Sequence, residues 1–200
     1  MNKVIAYDTE TTSIPEWKLP SGDPKQPHLV QLAAILVDAD TGTELSSMDV
    51  IIRPEGWKSD PEAEEVHGIT TEMAMDVGIP EGLAIEMLYE MSDGATRVAY
   101  NRTFDQRIIR IGMKRYFEDA DTEKWAEKDN HHCAMLLARP IIANDPGYTG
   151  KNVNQKLGFA YNFFTGKTLV GAHNAKVDAQ ACLEIYLAIL ELQKKVVVKC

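Results

Sequence analysis

Apolar and polar positions follow two regimes along the chain. Over the first fifty or so residues they read as strands: 2–8, 29–38 (LVQLAAILVD) and 44–53 (ELSSMDVIIR) are apolar and rich in β-compatible side chains. The turn-forming ADTGT at 39–43 joins the second run to the third and predicts a hairpin. Between the first and second runs lies TTSIPEWKLPSGDPKQP, whose prolines and glycine predict a long surface loop over 13–27. Beyond residue 80 a helical period takes over. Residues 80–92 place Leu83, Met87, Leu88 and Met91 on one helical face, TRVAY (96–100) reads as a short strand, and 103–117 and 133–139 as helices. The last helix, about 175–193, carries Val177, Ala181, Ile185, Ala188 and Leu192 in a stripe that must pack, most naturally on the sheet. Residues 118–132 (EDADTEKWAEKDNHH) read as a polar connection. Three early strands followed by helix–strand–helix units describe an α/β fold, a mixed sheet flanked by helices, in a single domain spanning 1–200 with no internal repeat.

Composition narrows the class only a little. Hydrophobic residues are 44% and charged residues 26%, ordinary for a globular chain. No apolar run reaches membrane-span length, so no membrane partner is expected. Met1-Asn2-Lys3 enters a strand without a signal-peptide pattern, and Cys133, Cys182 and Cys200 form no CxxC pair; a reducing cytoplasm is the expected location. The net charge of −9 argues against nucleic acid as a partner, unless carboxylates are neutralised by bound cations or positive charge is gathered locally. Arg102, Arg107, Arg110, Lys114 and Arg115 fall in one stretch, either a basic face or a solvated helix face.

The carboxylates carry more information. Asp8 and Glu10 stand two apart at the end of the first strand, so they project to the same side. Asp105 shares a helical face with Ile108 and Ile109, and Asp178 with Ala181, Cys182 and Ile185. One inward acid is commonly a paired structural residue; several in one domain are too costly to bury unneutralised. Two divalent cations would balance the four charges, and all-oxygen ligands suit Mg²⁺ or Mn²⁺ rather than zinc. Such ion pairs serve phosphodiester hydrolysis. His173, in a loop leading into the last helix, could fold back over that site as a proton acceptor. His131-His132-Cys133 lacks a fourth ligand at zinc spacing and reads as an entry to a strand or helix. Trp17 and Trp57 either pack or stack bases.

These residues resemble the motifs of the DEDDh 3′–5′ exonucleases: Asp8-Thr9-Glu10-Thr11-Thr12, then Asn101-Arg102-Thr103-Phe104-Asp105, then His173-Asn174-Ala175-Lys176-Val177-Asp178. His67-Gly68-Ile69 and the LLAR segment at 136–139 match further family segments, and the likeness runs over about residues 4–192. The resemblance implies a ribonuclease H-like fold, a mixed five-stranded sheet with helices on both faces. It implies Asp8, Glu10, Asp105 and Asp178 as ligands of two Mg²⁺ or Mn²⁺ ions and His173 as general base. Thr11 would offer its N–H to a terminal 3′-hydroxyl, His67 and Phe104 would border the last nucleotide, and Thr12 and Asn101 join the substrate-binding set. The expected partner is single-stranded DNA with a free 3′ end. RNA or short oligoribonucleotides remain open as the substrate, as do a polymerase-associated proofreading or non-catalytic subunit and a homodimer.

Overall fold

The computed structural model describes residues 1–127, 129–147 and 156–197; Cys200 lies outside them. Alternation in β1 (Lys3–Thr11) sets the frame: Val4 and Ala6 are buried on one side of the sheet, Ile5 and Tyr7 on the other. β1 runs past the expected end at residue 8, so Asp8 and Glu10 lie within the strand. β2 (Leu29–Asp38) pairs antiparallel with β1, and β3 (Thr43–Ile51) antiparallel with β2, as the hairpin signal predicts. β4 (Thr96–Ala99) and β5 (His131–Cys133) add in parallel on the other side of β1. The result is a mixed five-stranded sheet in the order β3-β2-β1-β4-β5, with β1 at its centre.

Around it lie α1 (Pro61–His67), α2 (Thr71–Val77), α3 (Glu81–Met91), α4 (Arg102–Tyr116), α5 (Asp119–Ala126), α6 (Ala134–Ala143), α7 (Leu157–Thr165) and α8 (Ala175–Val197). α3, α4 and α5 cover the Ile5/Tyr7 face and α6, α7 and α8 the Val4/Ala6 face. Each fully buried Ile or Leu in these layers contributes about 1.5–3 kcal/mol. No described helix is long and apolar enough to cross a membrane.

Four further expectations change. In α3 the buried positions are Glu81, Ala84, Ile85 and Leu88, whereas Leu83 and Met87 are exposed; in this rotation Ile85 packs directly on Gly112 of α4, where a Cβ would displace its Cδ1. In α8 Ala181 and Ile185 of the expected stripe are buried together with Asp178, Cys182 and Ile189, whereas Leu192 is exposed. The polar stretch 118–132 folds into α5 and β5 around a single anchor, Trp125, which is fully buried edge-on to Tyr7 and His131. Finally, the basic stretch is not a free basic face. Arg102 donates to the His131 carbonyl, Arg107 to that of Leu19 and Arg115 to that of Gln26, while Lys114 pairs with Asp119.

Candidate active site

The alternation that sorts the core also sorts the site. Asp8 and Glu10 continue the Val4/Ala6 side toward α8, and Thr9 continues the Ile5/Tyr7 side toward α4. α8 approaches closely because small residues meet there: Ala33 of β2, opposite Asp8 in register, packs on Ala175 and Ala179. Carboxylate oxygens of Asp8, Glu10 and Asp178 consequently lie within 4.8 Å of one another. Asp105 joins from the opposite face. It is 4% exposed, and its Oδ1 accepts from the Thr9 N–H at 3.1 Å and the Thr9 hydroxyl at 2.8 Å. Asp105 and Asp178 each sit in the first turn of a helix, where the helix dipole favours negative charge. The cluster stands at the carboxyl ends of the parallel strands β1 and β4, the usual ligand position in sheets of this kind.

Electrostatically the cluster is unfinished. Burial, then the charges of Asp105, Asp178 and Glu10, hold Asp8 well above the usual carboxylate range. Burial, with Asp178 and Asp105 adding to it, pushes Glu10 up to about 7. Burial likewise pushes Asp105 to about 7, outweighing the Thr9 bonds that pull it down. Asp178 is raised by burial, against the lowering effect of the His173 N–H. Among the described residues no Lys, Arg or His makes an ion pair with any of the four; Lys176 reaches Asp49 instead, at 4.0 Å. Oδ1 of Asp178 is buried with no hydrogen-bond partner. An acid cluster of oxygen donors with an orphaned buried oxygen fits hard divalent cations such as Mg²⁺ or Mn²⁺.

His173 lies where the loop reading put it, exposed and just before α8. Its backbone takes a φ of 65°, a left-handed conformation for a non-glycine residue, and its N–H donates to Asp178 Oδ2 at 3.1 Å.

Next to the carboxylates opens a cleft of about 390 Å³ lined by Thr9, Glu10, Thr11, Ile14, His67 and Phe104, with Asp60, Glu62 and Val66 at its α1 wall. Thr11, His67 and Phe104 are thus brought together. Nδ1 of His67 accepts from the Ile69 N–H, which leaves the ring proton on Nε2, buried and unpartnered. Burial also lowers the His67 pKa, keeping the ring neutral. Thr12 and Asn101 are not on the cleft wall. Thr12 is buried, its hydroxyl accepting from the His28 N–H and its carbonyl from the Asp60 N–H. Asn101 is exposed ahead of α4, its carbonyl accepting from the Phe104 N–H.

Two polar residues that sequence reasoning did not single out tie the elements of the site together. Thr9 clamps Asp105. Gln31, 4% exposed and opposite Glu10 in register, accepts from the Ala175 N–H at the start of α8 and donates to Asp49. Only the alternation of β1, which sends Thr9 to the α4 side, could have pointed to the first.

The exonuclease family model RNase_T matches residues 5–186. No curated protein sequence matches the chain at a significant level. Among solved structures, one of exonuclease I discussed for its processivity superposes with a TM-score of 0.75 over 94% of this chain at 18% identity. E. coli exonuclease I in complex with a dT13 oligonucleotide gives 0.73 over 95% at 18% identity. The moderately thermophilic exonuclease I of Methylocaldum szegediense gives 0.75 over 98% at 22% identity. The chain covers 41%, 41% and 42% of those proteins, about two fifths of their length.

Proposed function

The chain belongs to the exonuclease family whose model spans residues 5–186, and we propose that it releases nucleoside monophosphates from the 3′ end of single-stranded DNA with the help of two divalent cations. The observation that carries this reading is the convergence of Asp8, Glu10 and Asp178 within 4.8 Å, with Asp105 hooked to Thr9 beside them. Asp8, Glu10, Asp105 and Asp178 would hold Mg²⁺ or Mn²⁺, which when bound would supply an activated water and counter-charge for the leaving oxygen. The protein's own groups do the rest. His173 accepts the proton of the attacking water. The Thr11 N–H orients a terminal 3′-hydroxyl, and the unpartnered Nε2–H of His67 donates to an acceptor on the same nucleotide. Phe104 gives the terminal base an apolar wall.

DNA is favoured over RNA because exonuclease I structures of the same fold hold dT13 and dA16 oligonucleotides. A 5′-labelled single-stranded oligodeoxynucleotide with Mg²⁺ should yield a ladder shortening from the 3′ end. A 3′-phosphorylated strand and a circular strand should resist. Equal cutting of circular and linear DNA, or faster digestion of the matching RNA, would overturn the reading.

A further inference from the structure

The structure separates the two loop tryptophans. Trp57 lies flat on His28, ring centroids 5.1 Å apart and 12° between planes, against Val30 and Ile69. Trp17 is 52% exposed, and the guanidinium of Arg107 stands 5.9 Å from its ring centroid. The loop that presents it is firmly tied. Gln26, only 2% exposed, donates through Nε2 to the carbonyls of Glu16, Leu19 and Pro20, and accepts from the Glu16 N–H. Arg107 and Arg115 donate to the carbonyls of Leu19 and Gln26 at the loop's middle and end. These bonds bracket Trp17 on both sides and hold the backbone that presents its half-exposed indole. An ordered, exposed aromatic is a preorganised contact, because little freedom is left to lose on binding.

Its place identifies what it contacts. Ile14, 75% exposed, lines the nucleotide cleft; three residues of chain reach at most about 11 Å from it to Trp17. Phe104 lines the same cleft, and Arg107 lies three residues on, on the same face of α4 and about 4.5 Å along its axis. Trp17 therefore stands beside Arg107 and within about 11 Å of chain from the cleft-lining Ile14. Lys18 beside it is exposed and makes no ion pair among the described residues.

We propose that Trp17 is a stacking platform for a base of the single strand just outside the terminal-nucleotide cleft, with Arg107 beneath the ring and Lys18 available to a phosphate. This rests on the exonuclease reading. Every base has a π-face, so the platform holds a strand without reading its sequence.

The test compares Trp17→Ala and Trp17→Phe with the wild type on two substrates: a dT oligonucleotide of about ten residues, and thymidine 5′-monophosphate p-nitrophenyl ester, which fills only the terminal site. Stacking losses of this kind correspond to roughly 5- to 150-fold. Trp17→Ala should raise KM for the oligonucleotide by such a factor with kcat little changed, leave the ester's kinetics alone, and be largely rescued by Trp17→Phe. Equal losses on both substrates, or no rescue by Phe, would make Trp17 a loop-packing residue and overturn the proposal. Anisotropy of a labelled dT oligonucleotide in EDTA gives a second readout. If the wild type cleaves neither substrate, the exonuclease reading fails, and the anisotropy alone judges Trp17: wild-type affinity in the Ala variant overturns the platform, weakened affinity supports it.

Discussion

Asp105 is held to the motif it completes by Thr9: one carboxylate oxygen accepts both the Thr9 N–H at 3.1 Å and the Thr9 hydroxyl at 2.8 Å. The residue between Asp8 and Glu10 thus positions an acid arriving from the other face of the sheet. Thr9→Val keeps the shape and removes the hydroxyl. Hydrogen bonds that orient a ligand typically matter 10- to 100-fold for metal affinity or activity. Thr9→Val should therefore raise the Mg²⁺ concentration needed for half-maximal activity by about that factor, with Thr9→Ser near wild type. An unaltered Mg²⁺ titration for the Val variant would show that Asp105 needs no such clamp.

Removing cations should abolish turnover, and their return should restore it. Asp8 has no cationic partner among the described residues, and burial with three acidic neighbours raises its pKa. Asp8→Asn should accordingly abolish activity while raising the melting temperature of the EDTA-treated protein at neutral pH by a few degrees, because it removes a buried carboxyl that must either stay charged among like charges or take up a proton on folding. Calorimetry in EDTA reads this directly; a lower melting point would mean that Asp8 is already compensated without metal.

The same cluster sets a pH dependence of stability. Glu10 and Asp105 titrate at about 7 in the folded chain, against 4.5 and 3.8 as ordinary values. Between those limits the folded state retains protons that the unfolded state has released, so stability falls as pH rises through the window. This contribution is lost from about pH 4 upward and is exhausted above about 7. In EDTA, the melting temperature of the wild type relative to Asp105→Asn should decline from pH 5 to pH 8. Mg²⁺ should stabilise the wild type more at pH 8 than at pH 5, since it binds the ionised form. A wild-type advantage that grows with pH in EDTA would contradict the burial seen for these acids.

Much of this was legible along the chain, and for a physical reason. Alternation fixes Asp8 and Glu10 on one side, and the helical period fixes Asp105 with Ile108 and Asp178 with Cys182, so the inward acids are local facts. The hairpin at 39–43 is local as well. What the pattern hides is tertiary. Trp125 is a lone apolar anchor in a polar segment, and no periodicity reveals that it fills the space beside Tyr7 and His131. Leu83 and Met87 match a helical stripe, yet Gly112 admits Ile85 instead. The arginines at 102, 107 and 115 look like a basic face until the carbonyls of residues 131, 19 and 26 come to meet them.

Gln31 supplies a prediction from that hidden layer. It joins the first turn of α8, and so Asp178, to β2 opposite Glu10. Gln31→Leu leaves the Ala175 N–H and the Asp49 carboxylate without this partner, at a cost of about 1–3 kcal/mol. Melting should fall by about 2–12 °C for a chain of this size. Half-saturation by Mn²⁺, followed calorimetrically, should weaken in parallel. Lost stability with unchanged Mn²⁺ affinity would confine Gln31 to holding the fold.

His173 poses the sharpest test, because its backbone contact and the role proposed for its ring can be separated. The backbone adopts a φ of 65° and sends its N–H to Asp178 Oδ2; asparagine tolerates that conformation far better than most residues do. The imidazole is the side chain most often used to take a proton from an attacking water. His173→Asn should keep the backbone bond, the melting temperature and oligonucleotide binding, yet lose about 10²- to 10⁴-fold in kcat. His173→Gly, which also accepts a positive φ, should lose as much. Alanine is a poorer probe, since a left-handed conformation costs it roughly 1–2 kcal/mol and could disturb Asp178 as well. Comparing the pH–rate profiles of wild type and His173→Asn completes the test: the two should differ in shape, because the variant has lost the base. A variant with a near-normal rate and an unchanged profile would leave His173 only its backbone role, and the base would have to be sought elsewhere.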